Sequence, residues 1–165
     1  MKNRIHIEFA KHQDAVHIAE MSRDLVEAGL EWSWRRERVI DSIRDRETVA
    51  IKATLLSMFA GFAIMRFGEQ EAHLDLIAVK PRFRRAGVGT ALLSWLEESV
   101  ITAGIPVVRL ESRETNQTAL KFYEQRGYKQ IRPVKGYYCG HETAIELARD
   151  LWSDPSIDKI WNMRG

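Results

Sequence analysis

The stretch from Leu76 to Thr90 has the residue types of an anion-binding loop. A short apolar run ends at Pro81, a basic segment follows, and Gly87 and Gly89 lead into a helical repeat of apolar residues. The N–H groups and dipole of a helix N-terminus favour an anion, and glycine allows close backbone approach. The segment therefore predicts a phosphate-binding loop; the alternative is a tight turn beside solvated charges. Its basic residues are Lys80, Arg82, Arg84 and Arg85.

The spacing of the glycines narrows the choice of anion. A Walker A loop has Lys directly after its last glycine, and no Lys follows Gly89. A dinucleotide fingerprint needs a third glycine where this chain has Leu92, although Glu111 lies at a suitable distance for a ribose partner. The long basic loop before Gly87 also departs from that fingerprint. Spacing alone leaves the anion open.

Two motifs resemble those of the GNAT (Gcn5-related N-acetyltransferase) superfamily. The run Arg84-Arg85-Ala86-Gly87-Val88-Gly89 resembles its Arg/Gln-x-x-Gly-x-Gly/Ala signature, and Ile77-Ala78-Val79-Lys80-Pro81 resembles the preceding Leu-x-Val-x-Pro strand end. The segment from Asn116 to Tyr128 is similar to the family's Asn-x-x-Ala-x-x-x-Tyr-x-x-x-Gly-Phe/Tyr segment. The resemblance covers roughly residues 5–150. It implies that the anion is the pyrophosphate of acetyl-CoA, which acts as co-substrate.

The resemblance also implies roles for individual residues. Backbone groups at the end of the fourth strand pair with pantetheine, the loop N–H groups hold the pyrophosphate, and Asn116 hydrogen-bonds the pantetheine arm. Tyr123 places its hydroxyl near the sulfur as general acid; the alternative is a core aromatic beside Phe122. The residues expected to bind the cofactor are Ile77, Ala78, Val79, Arg84, Arg85, Ala86, Gly87, Val88, Gly89, Thr90, Asn116 and Tyr123.

Acetyl transfer to an amine also needs a general base, because an alkylammonium has a pKa near 10. Glu111 matches the glutamate of the Leu-Glu-Val-Arg segment in the ribosomal-protein N-terminal acetyltransferases that the chain resembles, and is the expected base. His73, Asp75 and a water relay are the alternatives. Each of these side chains could instead have a structural partner, for example an arginine beside Asp75.

The acceptor amine is the least determined part of the reaction. The segments Gly136-Tyr137-Tyr138 and Glu142-Thr143-Ala144-Ile145 resemble the C-terminal end of bacterial protein N-terminal acetyltransferases, but Thr143 replaces their usual Asp. A small-molecule primary amine and a peptide amine, either N-terminal or lysine, both remain open. A non-catalytic acetyl-CoA-binding module is a further alternative. Trp32 and Trp34 are either walls of the acceptor pocket or hydrophobic staples between helices.

The composition bounds the class of protein. The chain has 165 residues and a formal net charge of +2, which suits one domain and gives no indication of nucleic-acid binding. A single cysteine, Cys139, excludes an intrachain disulfide and a cysteine-rich zinc site, so no metal is expected. Neither a signal peptide nor a membrane-spanning run is recognisable, so we expect a cytoplasmic protein that does not bind membranes.

The elements that position these residues alternate between strands and helices. The pattern predicts seven strands and four helices, with Glu71 to Val79 as the fourth strand and the long helix ending near Ala103. We therefore expect one α/β (α+β) domain over residues 1–150. The resemblance implies the GNAT fold, a mixed, mostly antiparallel central sheet with splayed fourth and fifth strands, flanked by helices. The apolar turn Leu55 to Met58 and a tail over residues 151–165 suggest a homodimer, in which the tail is a short helix packed on the body or on the partner.

Overall fold

The structure, a computed structural model, describes residues 4–153. Seven strands and four α-helices lie within this range, close to their predicted positions. Most of the expected C-terminal tail, residues 154–165, lies outside the described residues. In chain order the elements are β1 (His6–Phe9), α1 (Ala15–Met21), α2 (Arg36–Arg44), β2 (Thr48–Leu55), β3 (Met58–Phe67), β4 (Glu71–Val79), α3 (Val88–Thr102), β5 (Val107–Arg113), α4 (Gln117–Gln125), β6 (Lys129–Tyr138) and β7 (Glu142–Asp150).

The strands form one mixed sheet in the order β1-β2-β3-β4-β5-β7-β6. The β1–β2, β2–β3, β5–β7 and β6–β7 ladders are antiparallel, whereas β4 and β5 run parallel. The β4–β5 ladder extends from Glu71 opposite Val107 to His73 opposite Arg109. Beyond Arg109, β5 continues its pairing with β7 as far as Arg113. The predicted mixed, mostly antiparallel sheet is confirmed, with a parallel β4–β5 ladder that ends at His73 and Arg109.

The chain divides into two compact units, and β4 contributes to both. The first unit contains the residues up to Phe67 together with Leu74–Ser99. Its core packs α1 and α2 against the sheet through residues that are almost completely buried. Burial of such side chains contributes about 25 cal/mol for each Å² of apolar surface. The central members are Ile18, Val39, Phe62, Ile64 and Leu76.

The second unit contains Gly68–His73 together with the chain from Val100 onward. It holds the paired starts of β4 and β5, the β6–β7 hairpin, and α4. Strands β5 and β7 contribute buried side chains to this unit, including Val108 and Leu110 of β5 and Leu147 of β7. Tyr128, which follows α4, is 2% exposed. The residues expected to perform proton transfer, Tyr123 and Glu111, lie in this unit.

The first predicted helix is interrupted after two turns. Helix α1 ends at Met21 and continues as a π-helical turn over Ser22–Val26, in which the Glu27 N–H donates to the Ser22 carbonyl at 2.8 Å. Gly29 then adopts φ +79°, which suits its place after the last turn. The predicted stop at Gly29 therefore holds, although the helix before it is not regular throughout.

The β2–β3 hairpin turns through two residues that are unusual for the purpose. Leu56 and Ser57 both have positive φ, 54° and 61°, as a type I′ turn requires, and neither is Gly, Asn or Asp. Leu55 is buried, whereas Leu56 is 59% exposed. The turn expected between Leu55 and Met58 is thus present. It is recognisable from its backbone angles and not from its residue types.

A close approach between backbones fixes β3 beside the end of β4. A Cβ at Gly61 would lie 2.7 Å from the Ala78 carbonyl oxygen, 3.2 Å from Val88 Cγ1 and 3.3 Å from Leu92 Cδ1. The next strand and helix α3 therefore occupy the space that any larger residue needs. The Lys80 N–H also donates to the Ala60 carbonyl at 2.8 Å. Together these contacts fix the point where the basic loop leaves the sheet.

We expect Gly61→Ala to lower the free energy of unfolding by about 2–3 kcal/mol, since its methyl group meets a backbone oxygen that no rotamer change can move. Thermal unfolding measures the loss as a fall of several degrees in Tm. Gly29→Ala is the matched control. It has φ +79°, and among residues 4–153 no heavy atom lies within 4 Å of its Cβ position, so the expected cost is that of the backbone conformation alone, about 1 kcal/mol. A Gly61→Ala protein as stable as the parent would contradict this packing.

Candidate active site

The basic loop between β4 and α3 has the backbone of an anion-binding site. After a 3-10 turn over Pro81–Phe83, Arg85 has φ +67° and Gly87 has φ +84°. The Gly87 carbonyl accepts the first helical hydrogen bond, from the Ala91 N–H at 2.9 Å. The N–H groups between Gly87 and Ala91 consequently precede that bond and have no acceptor within the helix. Val88, Gly89 and Thr90 supply those groups.

Full positive charge surrounds this backbone. Arg82, Arg84 and Arg85 are exposed, while Phe83 between them is buried and anchors the loop. The Lys80 ammonium lies 5.6 Å from the centroid of the Phe59 ring. An exposed residue with φ near +67°, such as Arg85, carries local strain, which is most often found at functional sites. The loop can hold a polyphosphate by backbone donors and by guanidinium groups.

The end of β4 alternates between a buried and a half-buried face. Ala72, Leu74, Leu76 and Ala78 are buried, whereas His73, Asp75, Ile77 and Val79 are half-buried. This is the alternation that the sequence predicts. Ile77 and Val79, whose backbone groups are expected to pair with pantetheine, therefore have their side chains on one face of β4, and Ala78 is on the core side.

Helix α4 positions the predicted general acid. Asn116 is its N-cap, with the side-chain oxygen accepting from the Ala119 N–H at 3.1 Å. Tyr123 is 7% exposed, and its ring centroid lies 5.3 Å from that of Phe122 and 5.8 Å from that of Tyr128. Burial raises the pKa of the Tyr123 hydroxyl above its ordinary value. The phenol therefore stays protonated at neutral pH, as a proton donor must.

The expected base, Glu111, lies in a network of charged side chains on the second unit. His73 Nε2 is 2.5 Å from Glu111 Oε2, and Arg109 Nη1 donates to Glu111 Oε1. Arg109 Nε also donates to Glu71 Oε1 at 3.2 Å. Burial acts to raise the pKa of Glu111, but hydrogen bonds from His73 and Tyr137 and the charges of His73 and Arg109 lower it overall. Glu111 is therefore ionised at neutral pH.

Asp75 has a different environment from the other two proposed bases. Arg66 Nε contacts both of its carboxylate oxygens, at 2.8 and 3.0 Å, within the first unit. This is the arginine partner that was the structural alternative for Asp75. His73 and Glu111, by contrast, contact each other in the second unit.

The adjacent tyrosines of β6 border the same network. Tyr137 is 46% exposed and hydrogen-bonds Glu111, and its ring packs edge-on against Tyr138 with centroids 4.8 Å apart. The Arg113 guanidinium lies 5.8 Å from the Tyr138 ring centroid. Burial raises the pKa of Tyr138. An exposed aromatic ring beside an ionised carboxylate is a suitable surface for a cationic amine and the chain that carries it.

Both tryptophans pack against the core of the first unit. Trp34 is 8% exposed and Trp32 packs partly buried against the same core, which is the staple alternative. The buried Glu27 carboxylate binds this loop, accepting from the Ser33 N–H at 2.5 Å and the Trp34 N–H at 3.0 Å. Arg23 and Arg35 stack on Trp32, with guanidinium carbons 5.3 and 4.6 Å from the ring centroid.

Comparison with known proteins decides the family. A sequence model of the Acetyltransferase (GNAT) family matches residues 18–128, which is more than half of the chain. The chain belongs to the GNAT acetyltransferase family. It is similar to the [Ribosomal protein bS18]-alanine N-acetyltransferase of Salmonella typhimurium, with 38% identity over 101 residues covering 59% of this chain and 68% of that protein. The predicted class of enzyme, an acyltransferase of the GNAT family, is confirmed.

Solved structures of acetyltransferases have the same fold as this chain. The crystal structure of the ribosomal-protein-S18-alanine N-acetyltransferase from Escherichia coli has a TM-score of 0.75 at 26% identity, covering 89% of this chain and 94% of that chain. PaiA N-acetyltransferase from Thermoplasma acidophilum, solved with coenzyme A, has a TM-score of 0.74 at 20% identity, covering 89% and 99%. The GNAT fold predicted from the motifs is confirmed.

Two further observations concern metal binding and membrane insertion. Within residues 4–153, no group of three or more His, Cys, Asp or Glu side chains has the arrangement of a metal site. In the same range, no helix is both long enough and apolar enough to span a membrane. The single cysteine, Cys139, is exposed.

The full network around Glu111 is not predictable from the sequence. Glu111 and His73 are alternatives for the base in the sequence, whereas in the structure they are in direct contact. Their contact follows from the parallel register, which pairs His73 with Arg109, two residues before Glu111 on the same face of β5. The spacing of Arg109 and Glu111 was a signal for their ion pair. Nothing in the sequence marked the register.

Tyr123→Phe is expected to reduce turnover about 100-fold or more while leaving acetyl-CoA affinity unchanged, since it removes a proton donor from a buried ring without altering its packing. Coenzyme A release measures turnover, and a shift in Tm with acetyl-CoA measures binding. Tyr128→Phe is the matched control, being the same change in a neighbouring buried ring. Unchanged turnover in Tyr123→Phe would remove Tyr123 from the mechanism.

Proposed function

We propose that this protein transfers the acetyl group of acetyl-CoA to the α-amino group of a peptide or protein N-terminus. The names of its relatives, which are alanine N-acetyltransferases of a ribosomal protein, support this acceptor class. The observation that carries the proposal is the environment of Glu111. This carboxylate is ionised, and His73, Arg109 and Tyr137 all bind it, next to an exposed aromatic ring.

The environment of Glu111 favours an α-amine over an alkylamine. An α-amino group has a pKa of about 8, and a lysine or polyamine nitrogen has one of about 10.4. Near pH 7 the uncharged fraction of an α-amine is therefore about 200-fold larger than that of a lysine or polyamine nitrogen. A carboxylate whose pKa is lowered is a weak base, so it suits an acceptor that gives up its proton readily. A small-molecule alkylamine would need a stronger base.

In this proposal the loop after β4, the end of β4 and Asn116 bind the cofactor. Backbone donors of the loop from Arg84 to Thr90, with the exposed arginines, hold the pyrophosphate of acetyl-CoA. The strand end Ile77–Val79 pairs with the amides of pantetheine, as an added strand would. A sequence-predicted contact from Asn116 to the pantetheine arm uses the N–H donors of its side chain, since its oxygen caps α4.

The second unit performs the chemistry. The amine gives a proton to a base at Glu111 and attacks the thioester carbonyl carbon, and the C–S bond then breaks. Tyr123 supplies a proton to the departing thiolate and is reprotonated by the nitrogen through solvent. Its burial suits this role, because a hydroxyl held away from water stays protonated until charge develops on the sulfur.

The acceptor class is tested by coenzyme A release at pH 7.5 with three matched substrates. One is a short alanine-initiated peptide with a free α-amine, one is the same peptide with a blocked N-terminus and an internal lysine, and one is a polyamine. We expect kcat/KM to be at least about 100-fold higher for the free α-amine, following the ratio of neutral amine.

A higher kcat/KM for the polyamine or the blocked lysine peptide would contradict the proposed acceptor class and favour a small-amine or lysine acetyltransferase. Binding of acetyl-CoA without turnover of any of the three would favour the non-catalytic module. The identity of the acetylated nitrogen is established by mass spectrometry of the product.

A further inference from the structure

The contact between His73 and Glu111 joins β4 to β5 at the end of their parallel ladder. His73 Nε2 lies 2.5 Å from Glu111 Oε2, and the two side chains are 13% and 8% exposed. Burial of two titratable groups in contact makes their protonation interdependent, so they titrate as a pair. A carboxylate bound to one imidazole nitrogen stabilises the imidazolium that forms when the ring gains a proton.

The second oxygen of Glu111 is held by Arg109, which lies two residues earlier on β5 and donates to Oε1. The same guanidinium contacts Glu71 at 3.2 Å and lies 3.9 Å from Glu146. Each carboxylate oxygen of Glu111 thus has a different donor. This arrangement fixes the direction of the carboxylate and holds it in its charged form.

Resting on the proposed function, we propose that His73 and Glu111 act as one proton-accepting pair, in which the His73 imidazole takes the amine proton and Glu111 stabilises the imidazolium. Arg109 is a positioning residue in this scheme, because it acts through Glu111. The pair replaces the single carboxylate as the general base. An imidazole also suits the acceptor, since its ordinary pKa of about 6.5 is nearer than that of a carboxylate to the α-amine value of about 8.

The proton balance of the step is simple. The acceptor ammonium gives one proton to the imidazole, leaving a neutral amine and an imidazolium–carboxylate pair. The amine nitrogen forms a bond to the thioester carbon, and the C–S bond breaks as the amide forms. The amine nitrogen then loses a second proton, which replaces the proton that Tyr123 gives to the sulfur. The imidazolium then releases its proton to solvent, so that one proton leaves per turnover.

Other titratable or charged groups on four strands lie near His73 and Glu111 or near the residues that contact them. Each of these groups affects the titration of the His73–Glu111 pair. Arg109 stabilises the charged carboxylate, and the acidic neighbours of Arg109 offset part of its charge. The groups are Glu71 on β4, Arg109 on β5, Arg132, Tyr137 and Tyr138 on β6, and Glu146 on β7.

The pair is tested by the pH dependence of kcat/KM with the free α-amine peptide in His73→Gln, Glu111→Gln and the double variant. Each single change is expected to lower kcat/KM by about 100-fold or more and to move the acidic limb of the profile to lower pH. The double variant should lose no more than about 3-fold beyond the worse single variant, because residues that act as a unit are not additive. His12→Gln, at an exposed position, is the control and should match the parent.

Two outcomes of that experiment would overturn the pair. His73→Gln with the parental rate and pH profile would leave Glu111 as the sole base. A double variant whose loss equals the product of the two single losses would mean that the residues act independently.

Arg109→Gln separates a positioning role from a structural one. Removal of its positive charge favours the protonated pair, so the acidic limb should move to higher pH, opposite to the effect of His73→Gln. We expect kcat to fall and the KM for acetyl-CoA to stay at the parental value. An unmoved limb would exclude Arg109 from positioning the base.

A titration by NMR keeps this inference separate from the proposed function. The His73 imidazole resonance, assigned by its loss in His73→Gln, should titrate at higher pH in the parent than in Glu111→Gln. If no amine is acetylated, the proposed function fails, and this titration still decides the pair. Identical titration in the parent and Glu111→Gln would overturn the pair whatever the activity.

Discussion

The absence of a side chain at Gly61 is the constraint on which the position of the basic loop between β4 and α3 depends. The Ala78 carbonyl oxygen and the side chains of Val88 and Leu92 lie 2.7, 3.2 and 3.3 Å from where a Cβ would be. Strand β4 can therefore end, and α3 can begin, close against β3, with the basic loop held between them. The hydrogen bond from Lys80 to Ala60 fixes the loop at its start. Helix N-terminal donors can face a phosphate only because the helix begins at this point.

A second constraint governs the network around Glu111, where several charges are partly removed from water. A buried carboxylate is costly unless donors compensate for its lost hydration. Glu111 has such donors in His73, Arg109 and Tyr137, and they lower its pKa despite burial. The same donors reduce its strength as an independent base. The groups that allow Glu111 to be buried therefore also lower its affinity for a proton.

Much of this architecture could be predicted from local patterns. The alternation along β4 gave its bounds and its two faces, and two spaced motifs indicated the fold and the phosphate loop. Turns that depend on backbone conformation were harder, since Leu56 and Ser57 have none of the residue types that favour positive φ. The buried role of Glu27 was equally hidden, because its partners, the Ser33 and Trp34 N–H groups, are backbone atoms.

The contact between His73 and Glu111 could not be predicted because it depends on strand register. A parallel ladder joins residues 38 positions apart, and a shift of one residue would turn His73 to the other face. The sequence therefore supplied both residues as candidates without their relation. The roles of Tyr123 and Asn116, and a homodimer, remain predictions, and the dimer is checked by light scattering.

The most direct test of the account is thermal unfolding with acetyl-CoA, coenzyme A and NAD, each added alone over a range of concentrations. A ligand at 100 times its Kd stabilises the folded state by about 2.7 kcal/mol. For a chain of this size we predict a rise in Tm of about 5–10 °C with acetyl-CoA and with coenzyme A, and none with NAD. An unchanged Tm with acetyl-CoA at millimolar concentration would contradict the assignment of the loop from Arg84 to Thr90 as its binding site.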